Sequence, residues 1–445
     1  MKKVLILGAG MVSKPIVTYL LSKGYAVTIG DMEIAKAKVV IGNHQNGKAI
    51  AFNVQDDNLL NDVVSSHDIV VSLLPWMFHP TVAKCCLKYK KNMVTTSYVK
   101  PEMQALDAEA KSANLLFLNE SGLDPGIDHM SAMRIIDNVH SKGGKIEEFY
   151  SICGALVAPE VEQNPFKYKF SWAPKGVVMA GNNDGKYLRR GKIVEVPTQD
   201  LFKNPFKIDF EGVGQLEVYP NRDSLPYVEL YGIPETKTMF RGTFRYDKWC
   251  EVLDAIKKIG LISYDKFDMT GMCHADMVAK LIGASDSQNI KQKTADFLGV
   301  DINSNPIVAM DWLGLFSNQP INKGMESPFE ITSDRMIEKM MIKENERDMV
   351  VMQHTFVASY PDGKQEVIRS RMLDFGTLKT DTSIARTVAL PAAVAVEMIL
   401  EGKINAKGVH IPVIPEIYNP ILDALEKLNI KMEEEYGLPL SENIK

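Results

Sequence analysis

The sequence is poor in cysteine, and it has no long run of one charge or of apolar residues. Its five cysteines fit neither a disulfide framework nor the spacing of a metal site, which predicts reduced thiols in a cytoplasmic protein without a structural metal. The net charge of -5 includes no basic cluster, which argues against a nucleic-acid partner. Since no apolar stretch of about 18 residues stands out, no membrane span is expected.

The length of 445 residues is too great for a single hydrophobic core. Hydrophobic residues make up 45% of the chain and charged residues 24%, which is typical of a soluble globular protein. Lys2 and Lys3 precede an apolar run, as in a signal peptide, but only about four apolar residues come before the first glycine. We therefore expect two or three globular domains and no signal peptide.

The first 31 residues have the pattern of a dinucleotide-binding βαβ unit. Val4–Leu7 predicts a buried strand, and Val12–Lys23 predicts a helix with apolar residues at helical spacing. Between them, Gly8 permits a tight turn, and Gly10 leaves room for backbone N–H groups to approach a pyrophosphate. Asp31 follows the second strand, where its carboxylate can accept hydrogen bonds from ribose hydroxyls and repel a 2′-phosphate.

Strand-like and helix-like segments alternate through the first part of the chain. Strands are predicted at Lys48–Phe52, Asp68–Leu74, Met93–Thr96 and Leu115–Asn119. This alternation predicts an α/β fold of Rossmann type with a doubly wound parallel sheet. Ligands of such sheets bind at the carboxyl ends of the strands. That rule selects Asn53-Val54, Leu74-Pro75, Ser97-Tyr98 and Glu120-Ser121.

After residue 122 the pattern changes to a mixed α/β region and then to a helical one. Strands are predicted at Lys145–Ala155, Gly191–Val196, Gly214–Val218, Thr236–Phe244, Met349–Ser359 and Gln365–Leu373. Helices are predicted at Trp249–Ile259, His274–Ile282, Ser287–Phe297 and, broken near Pro391, at Ile384–Leu400. We expect a dinucleotide-binding domain (1–127, completed by helices in 384–445), a mixed α/β substrate and dimerisation domain (128–247 and 345–383) and a small helical domain (248–344).

The segment Gly122–His129 follows the last predicted strand of the first domain. Asp124 lies where the sheet ends and a nicotinamide is expected. Asp128 either caps a helix that begins near His129 or serves the site, and His129 is expected to be an ordinary helix residue. His79, followed by proline, is predicted to lie in a loop.

The second region contains arginines suited to an anionic substrate. Arg222 lies in a polar turn and could bind a carboxylate bidentately. Strand alternation puts Arg241, Thr243 and Arg245 on one face, where two guanidiniums would flank a hydroxyl. Asn164–Trp172 mixes aromatic and cationic residues, which also suits an organic anion. Surface ion pairing is the alternative for each arginine. Since no nucleophile–histidine pattern occurs, we expect a cofactor to supply the chemistry.

Several of these segments together resemble the L-glutamate-forming saccharopine dehydrogenase family, also called saccharopine reductases. The resembling segments are Leu73–Pro80, Thr95–Tyr98, Gly122–His129, Lys169–Trp172, Tyr219–Ser224, Arg241–Tyr246, Ala385–Pro391 and Ala406–Gly408. They extend over nearly the whole chain, which makes the combination specific. The resemblance implies a three-domain homodimer of lysine metabolism that interconverts saccharopine with glutamate and 2-aminoadipate 6-semialdehyde by using a nicotinamide cofactor.

The resemblance also implies contacts at matching positions. The implied saccharopine contacts are Ser97, Tyr98, Asp124, Arg222, Thr243, Phe244 and Arg245. The implied cofactor contacts are Gly8, Gly10, Met11, Val12, Ser13, Asp31, Met32, Asn53, Val54, Leu74, Thr96, Ser97, Leu123, Asp124 and Pro125. The expected chemistry is hydride transfer between the nicotinamide and the carbon of a C=N bond. Asp124 is the favoured general base or its positioner, with Tyr98 second, although the carboxylate could instead pair with the substrate ammonium.

The residues after the second strand bear on the choice of cofactor. NADP-dependent fungal members of the family have an arginine there, whereas this chain has Asp31-Met32, which favours NAD as in animal members. NADP use is the alternative if Lys36 or Lys38 reaches the 2′-phosphate. Two other functions stay open. One is a related imine reductase of the carboxynorspermidine or homospermidine type, against which the arginines argue. The other is a non-catalytic sensor of dinucleotides.

Overall fold

A computed structural model describes residues 1–444 of the chain. Within these residues the strands are β1 (Lys3–Leu7), β2 (Ala26–Asp31), β3 (Gly47–Ala51), β4 (Ile69–Ser72), β5 (Asn92–Thr95), β6 (Leu116–Leu118), β7 (Lys145–Val157), β8 (Gly185–Arg189), β9 (Lys192–Val196), β10 (Phe206–Phe210), β11 (Gly214–Pro220), β12 (Thr238–Tyr246), β13 (Phe267–Asp268), β14 (Met325–Glu326), β15 (Asp348–Ser359), β16 (Gln365–Phe375), β17 (Gly408–His410) and β18 (Glu433–Leu438).

The α-helices of the same residues are α1 (Lys14–Ser22), α2 (Ile34–Ile41), α3 (Asp57–Ser65), α4 (His79–Tyr89), α5 (Pro101–Gln104), α6 (Asp107–Ser112), α7 (Ile127–Ser141), α8 (Pro174–Ala180), α9 (Pro226–Leu230), α10 (Trp249–Ile259), α11 (His274–Ile282), α12 (Ile290–Leu298), α13 (Asn305–Leu313), α14 (Pro328–Met340), α15 (Ser383–Leu400) and α16 (Pro415–Glu426). The chain divides into two compact units. Unit 1 consists of residues 1–146, 230–232 and 358–438, and unit 2 consists of residues 147–229, 233–357 and 439 onward.

Unit 1 contains a seven-stranded sheet in the order β17-β6-β5-β4-β1-β2-β3. Every neighbouring pair in it is parallel. The interior strand β1 is buried on both faces, as its continuous run Val4–Leu7 predicts, because helices cover a parallel sheet on both sides. This confirms the predicted doubly wound fold, and the carboxyl ends of all seven strands lie along one edge.

Helix α1 begins later than the sequence pattern indicates. The predicted start was residue 12, but the helix covers Lys14–Ser22. Pro15 occupies the first turn, where its missing N–H costs no intrahelical bond. The residues before it form a turn instead, closed by a hydrogen bond of 3.1 Å from Ser13 N to Gly10 O. The segment between strand and helix is therefore longer than predicted.

Helix α15 corrects two expectations. It runs without a break through Pro391, and its 18 residues are long and apolar enough to pass a length and composition test for a membrane span. However, 78% of that window is buried inside the protein, and the helix packs against α1 and α16 as a core helix. A proline inside a helix costs about 3 kcal/mol, which the burial of many apolar side chains can offset.

The second sheet is mixed, with the order β10-β11-β12-β7-β15-β16-β18 and a β8–β9 hairpin beside β12. Strand β12 is parallel to β7 and antiparallel to β11. The predicted strands are all present with shifted ends, but β8, β10 and β18 were not predicted. Strand β18 is acidic and mostly exposed, so its sequence has no alternation of apolar and polar residues that would predict a strand. The strand forms by pairing with β16, where Arg369 and Arg371 lie opposite its glutamates.

The helical part of unit 2 contains α10 to α14. The predicted helices Trp249–Ile259 and His274–Ile282 are found with those bounds, and α12 begins three residues later than predicted. Helices α13 and α14 were not predicted. The division into three domains stays a prediction. By its internal contacts the chain divides into the two compact units given above.

Candidate active site

The loop between β1 and α1 is built to approach a negatively charged group. Gly8 has a φ of 105°, and a Cβ added there would lie 2.9 Å from Leu73 O. A Cβ added at Gly10 would meet nothing within 4 Å, so this position is open toward solvent. Within residues 1–444, the N–H groups of Gly10, Met11 and Val12 have no hydrogen-bond acceptor. These free donors at the start of a helix fit a pyrophosphate.

Asp31 is tied to this loop by its side chain. Its Oδ2 accepts a hydrogen bond from Ala9 N over 2.8 Å, and its Oδ1 accepts one from Glu33 N over 2.9 Å. The carboxylate is thus fixed at the end of β2, where a bound dinucleotide places its adenosine ribose. Lys36, one of the two lysines considered for a 2′-phosphate contact, forms an exposed ion pair of 2.5 Å with Glu33.

The other implied cofactor residues of unit 1 lie after the carboxyl ends of the strands. Met32 is 77% exposed and Met11 is 48% exposed, which is unusual for methionine and leaves apolar surface at this edge. Asn53 is exposed, Leu74 and Thr96 are half-buried, and Val54, Leu123 and Pro125 are buried. All of these positions follow the carboxyl ends of strands of the parallel sheet, and their contact with a cofactor stays a prediction.

Tyr98 and Asp124 meet at this edge. The hydroxyl of Tyr98, three residues beyond the end of β5, donates to Asp124 Oδ1 over 2.9 Å. Asp124 is half-buried in a loop whose neighbours are almost all buried. Ser97, the residue before Tyr98, accepts at its backbone oxygen a hydrogen bond of 3.1 Å from Glu120 N. The structure therefore brings together three of the predicted saccharopine contacts, Ser97, Tyr98 and Asp124.

The loop after β6 is closed by two glycines. Gly126 has a φ of 149°, and a Cβ there would lie 2.0 Å from Gly122 O, so only glycine fits. Asp128 accepts a hydrogen bond from Gly126 N over 2.6 Å. Helix α7 begins at Ile127 with Gly126 as its N-cap, so the hypothesis that Asp128 caps a later helix is wrong. Its carboxylate instead holds the turn that carries Asp124.

His129 belongs to α7, as predicted, but it is not an ordinary helix residue. It is completely buried, with Nε2 2.7 Å from Glu120 Oε2 and Nδ1 2.6 Å from the Tyr231 hydroxyl. Glu120 also accepts a hydrogen bond of 2.8 Å from Val99 N. This buried network braces the segment that contains Ser97 and Tyr98. Sequence reasoning missed this network, because its third member, Tyr231, is far from Glu120 and His129 along the chain.

His79 was predicted to lie in a loop, and this is wrong. It is the first residue of α4, it is 2% exposed, and it contacts Ser72, Thr95 and Ser97. Burial lowers the pKa of its imidazole to about 4, so the ring is neutral at ordinary pH. Pro80 after it was the missed signal, since proline favours the first turn of a helix.

Although Glu217 lies opposite on β11, Arg245 of unit 2 is a buried cation that forms no ion pair with any described carboxylate. It is 5% exposed, and its guanidinium carbon lies 4.9 Å from the ring centroid of Tyr168 and 5.2 Å from that of Trp249. One hydrogen bond joins it to Phe244 O over 2.9 Å, and its Nε has no partner within residues 1–444. Burial of an unpaired charge is costly, so this position is suited to receive an anion.

The neighbours of Arg245 on β12 have different environments. Thr243 is half-buried and faces Tyr219 across the antiparallel pair, whereas the side chain of Phe244 is fully buried against Phe210. Arg222 is exposed in a turn with a φ of 58°. Arg241 is buried with its guanidinium 4.2 Å from the Tyr227 ring. Among the implied saccharopine contacts of unit 2, Arg245 is therefore the one that is both charged and buried.

Family models match nearly the whole chain. Residues 4–118 match the saccharopine dehydrogenase NADP binding domain, and residues 122–430 match the saccharopine dehydrogenase C-terminal domain. The boundary between the two falls just before Gly122, in the loop that carries Asp124.

Similar proteins and structures agree with this match. The chain is 37% identical to saccharopine dehydrogenase [NADP(+), L-glutamate-forming] of Schizosaccharomyces pombe, over 98% of this chain and 99% of the relative. It is 36% identical to the mitochondrial alpha-aminoadipic semialdehyde synthase of Bos taurus over 96% of this chain, but it spans only 47% of that protein.

The apo structure of saccharopine dehydrogenase (L-Glu forming) from Saccharomyces cerevisiae superposes with a TM-score of 0.90 at 35% identity, covering 98% of this chain and 100% of the other. Homospermidine synthase from Legionella pneumophila shares the fold alone, with a TM-score of 0.58 and 8% identity over 100% of this chain and 94% of the other. The chain therefore belongs to the saccharopine dehydrogenase family of oxidoreductases and resembles its L-glutamate-forming members over nearly its whole length.

Proposed function

We propose that the protein oxidises saccharopine, with water and an oxidised nicotinamide dinucleotide, to L-glutamate and 2-aminoadipate 6-semialdehyde, or catalyses the reverse reaction. The observation that carries the proposal is the Tyr98–Asp124 hydrogen bond at the ligand-binding edge of a dinucleotide-binding sheet. The bound dinucleotide supplies a hydride acceptor or donor. The chain's own residues bind the amino acid and hold a proton.

Asp124 is the proposed general base, and Tyr98 is its positioner. A base must lie within hydrogen-bond reach of the proton that it takes, and a carboxylate that accepts a hydrogen bond from a fixed donor is held in orientation. The bond from the Tyr98 hydroxyl provides that orientation. The same carboxylate is able to hold the ammonium form of the substrate, and both roles predict loss of turnover when it is removed.

Arg245 supports an amino-acid substrate. Saccharopine carries three carboxylates, and a buried guanidinium without an acidic partner is stabilised by such a group. Substrates of the carboxynorspermidine or homospermidine type are amines, for which an acidic pocket would be expected instead. The surrounding aromatic rings of Tyr168 and Trp249 add cation–π stabilisation but no counterion.

Asp31 supports a preference for NAD over NADP. Its carboxylate is fixed by Ala9 N and Glu33 N beside the expected ribose position, where it can accept bonds from the 2′-hydroxyl and repel a 2′-phosphate. The names of the fungal relatives specify NADP, so this chain would differ from them in cofactor choice. A cytoplasmic homodimer is part of the same proposal, on the resemblance alone.

The test is to follow the absorbance of reduced nicotinamide when the purified protein receives saccharopine with NAD and, separately, with NADP. Turnover with NAD at a much larger kcat/KM supports both parts of the proposal. A preference for NADP would refute the interpretation of Asp31 and leave the reaction intact. Turnover of carboxynorspermidine but not of saccharopine would refute the substrate assignment. Dinucleotide binding without turnover of either amine would favour a sensor.

A further inference from the structure

The imidazole of His79 is bonded at both nitrogens to hydroxyl groups of unit 1. Its Nδ1 lies 2.9 Å from Ser72 Oγ, and its Nε2 lies 2.8 Å from Ser97 Oγ. Thr95 Oγ1 lies farther from Nε2, at 3.2 Å. A neutral imidazole carries one hydrogen, so one of these nitrogens donates and the other accepts. The direction of the Ser97 bond therefore depends on the Ser72 bond.

The burial of Ser72 and its short bond to His79 favour one direction. Ser72 is completely buried, and within residues 1–444 its hydroxyl has no hydrogen-bond partner besides His79 Nδ1. If Nδ1 carried the hydrogen, the Ser72 hydroxyl would have no acceptor, which costs about 1–3 kcal/mol. If Ser72 donates to Nδ1, Ser72 and the ring are both satisfied, and the hydroxyl left without an acceptor is that of Thr95, whose contact with Nε2 is the longer one at 3.2 Å. The shorter Ser72 bond of 2.9 Å therefore favours this form. The hydrogen of the ring is then on Nε2, and it is donated to Ser97 Oγ.

We propose that His79 is a positioning residue that, as the Nε2–H tautomer, holds Ser97 as a hydrogen-bond donor toward an oxygen acceptor of a bound ligand. The Ser97 hydroxyl accepts from His79, and within residues 1–444 no other side chain accepts its hydrogen. Two sources offer such an oxygen: a carboxylate of the amino-acid substrate and the carboxamide of the nicotinamide. The identity of this ligand rests on the proposed function, whereas the tautomer does not.

The tautomer can be observed without substrate. In protein labelled with 15N at histidine, the chemical shifts of the two ring nitrogens distinguish the Nε2–H, Nδ1–H and cationic forms. The His79 signals are assigned by their loss in His79→Gln and by their displacement in Ser97→Ala, so a folding failure of the first variant leaves the second. We expect the Nε2–H pattern for the full-length wild-type chain. An Nδ1–H or cationic pattern at neutral pH would overturn the proposal.

Kinetics of Ser97→Ala then identify the acceptor. A substrate carboxylate predicts a rise of about 10-fold in the KM for saccharopine with the dinucleotide Kd unchanged, and a nicotinamide carboxamide predicts the same rise in the dinucleotide Kd. His79→Gln retains a donor N–H and should stay close to wild type, whereas His79→Leu should resemble Ser97→Ala. Unchanged KM and Kd in Ser97→Ala, or wild-type constants in His79→Leu, would refute the positioning role. If saccharopine is not turned over at all, the proposed function fails, and the dinucleotide titrations and the tautomer still test His79.

Discussion

The Tyr98 hydroxyl donates a hydrogen bond of 2.9 Å to Asp124 Oδ1, and this joins the segment after β5 to the loop after β6. The two strands are neighbours in the parallel sheet, so their carboxyl ends are close in space although they are far apart in sequence. The bond fixes one carboxylate oxygen at the edge where dinucleotides bind. A base held in this way keeps its orientation before the substrate arrives.

Asp124→Asn should lower kcat by about 10²–10⁴-fold, the usual contribution of a general base, because an amide cannot accept the proton. Tyr98→Phe should lower kcat less, since the carboxylate remains and only its orientation is lost. The measurement is steady-state turnover of saccharopine beside a dinucleotide titration by tryptophan fluorescence. Wild-type kcat in Asp124→Asn would contradict the assignment.

Gly10→Ala should leave the fold intact and weaken dinucleotide binding. A Cβ at residue 10 meets nothing within 4 Å in the protein, but it occupies the space through which the pyrophosphate approaches the backbone. Gly126→Ala is the contrasting variant, because its Cβ would lie 2.0 Å from Gly122 O and the chain should be destabilised or insoluble. Thermal unfolding and dinucleotide titration separate the two effects. Wild-type dinucleotide affinity in Gly10→Ala would show that no phosphate approaches there.

Arg245→Met should raise the KM for saccharopine by about 30-fold, or about 2 kcal/mol, because a buried anionic contact is lost. Its melting temperature should be unchanged or higher, since a buried cation without an acidic partner is replaced by an apolar chain. Arg190→Met, at an exposed position, is the matched control and should change neither quantity. A large loss of stability in Arg245→Met with an unchanged KM would indicate a purely structural arginine.

The stability of the protein should fall in acid partly because of His79. Its pKa is lowered by burial from 6.5 to about 4 in the folded chain. Between these values the unfolded chain binds a proton that the folded chain does not, so this contribution is complete above pH 6.5 and is lost as the pH falls toward 4. At pH 5 the loss amounts to about 2 kcal/mol.

Urea unfolding at pH 7.5 and pH 5 measures this loss, and His79→Gln isolates it. Burial also lowers the pKa values of His67 and His274, so wild type and variant should both weaken in acid. The loss of unfolding free energy between pH 7.5 and pH 5 should be smaller in the variant than in the wild type, and the difference is the contribution of His79. Equal losses in the two proteins would show that His79 titrates normally.

The sequence predicts the dinucleotide-binding unit well because its signals are local. A buried strand, a glycine turn, a helix and Asp31 follow one another within 31 residues, and the strand-end rule then locates Ser97 and Asp124. The sequence also identifies Arg245, because strand alternation and charge suffice to select it. What it misses is burial: nothing local distinguishes a guanidinium enclosed by aromatic rings from an exposed one.

The errors at His79 and Pro391 have a common physical cause. Each residue was judged from its chain neighbours, whereas tertiary packing decides its environment. His79 is enclosed by residues of β4 and of the segment after β5, and Pro391 is accommodated because α15 is buried on both α1 and α16. For the same reason the Glu120–His129–Tyr231 network could not be predicted, because its third member comes from a segment far along the chain.

Strand β17, which completes the parallel sheet beside β6, has a consequence for biosynthesis. Helix α15 and residues 408–410 leave the ribosome after residues 1–382, so the nascent first unit exposes an unpaired strand edge and the apolar face of α1 until they emerge. Such surfaces favour aggregation, and chaperones protect them. A premature stop codon before residue 383 removes both elements and should therefore yield insoluble protein rather than an inactive soluble enzyme.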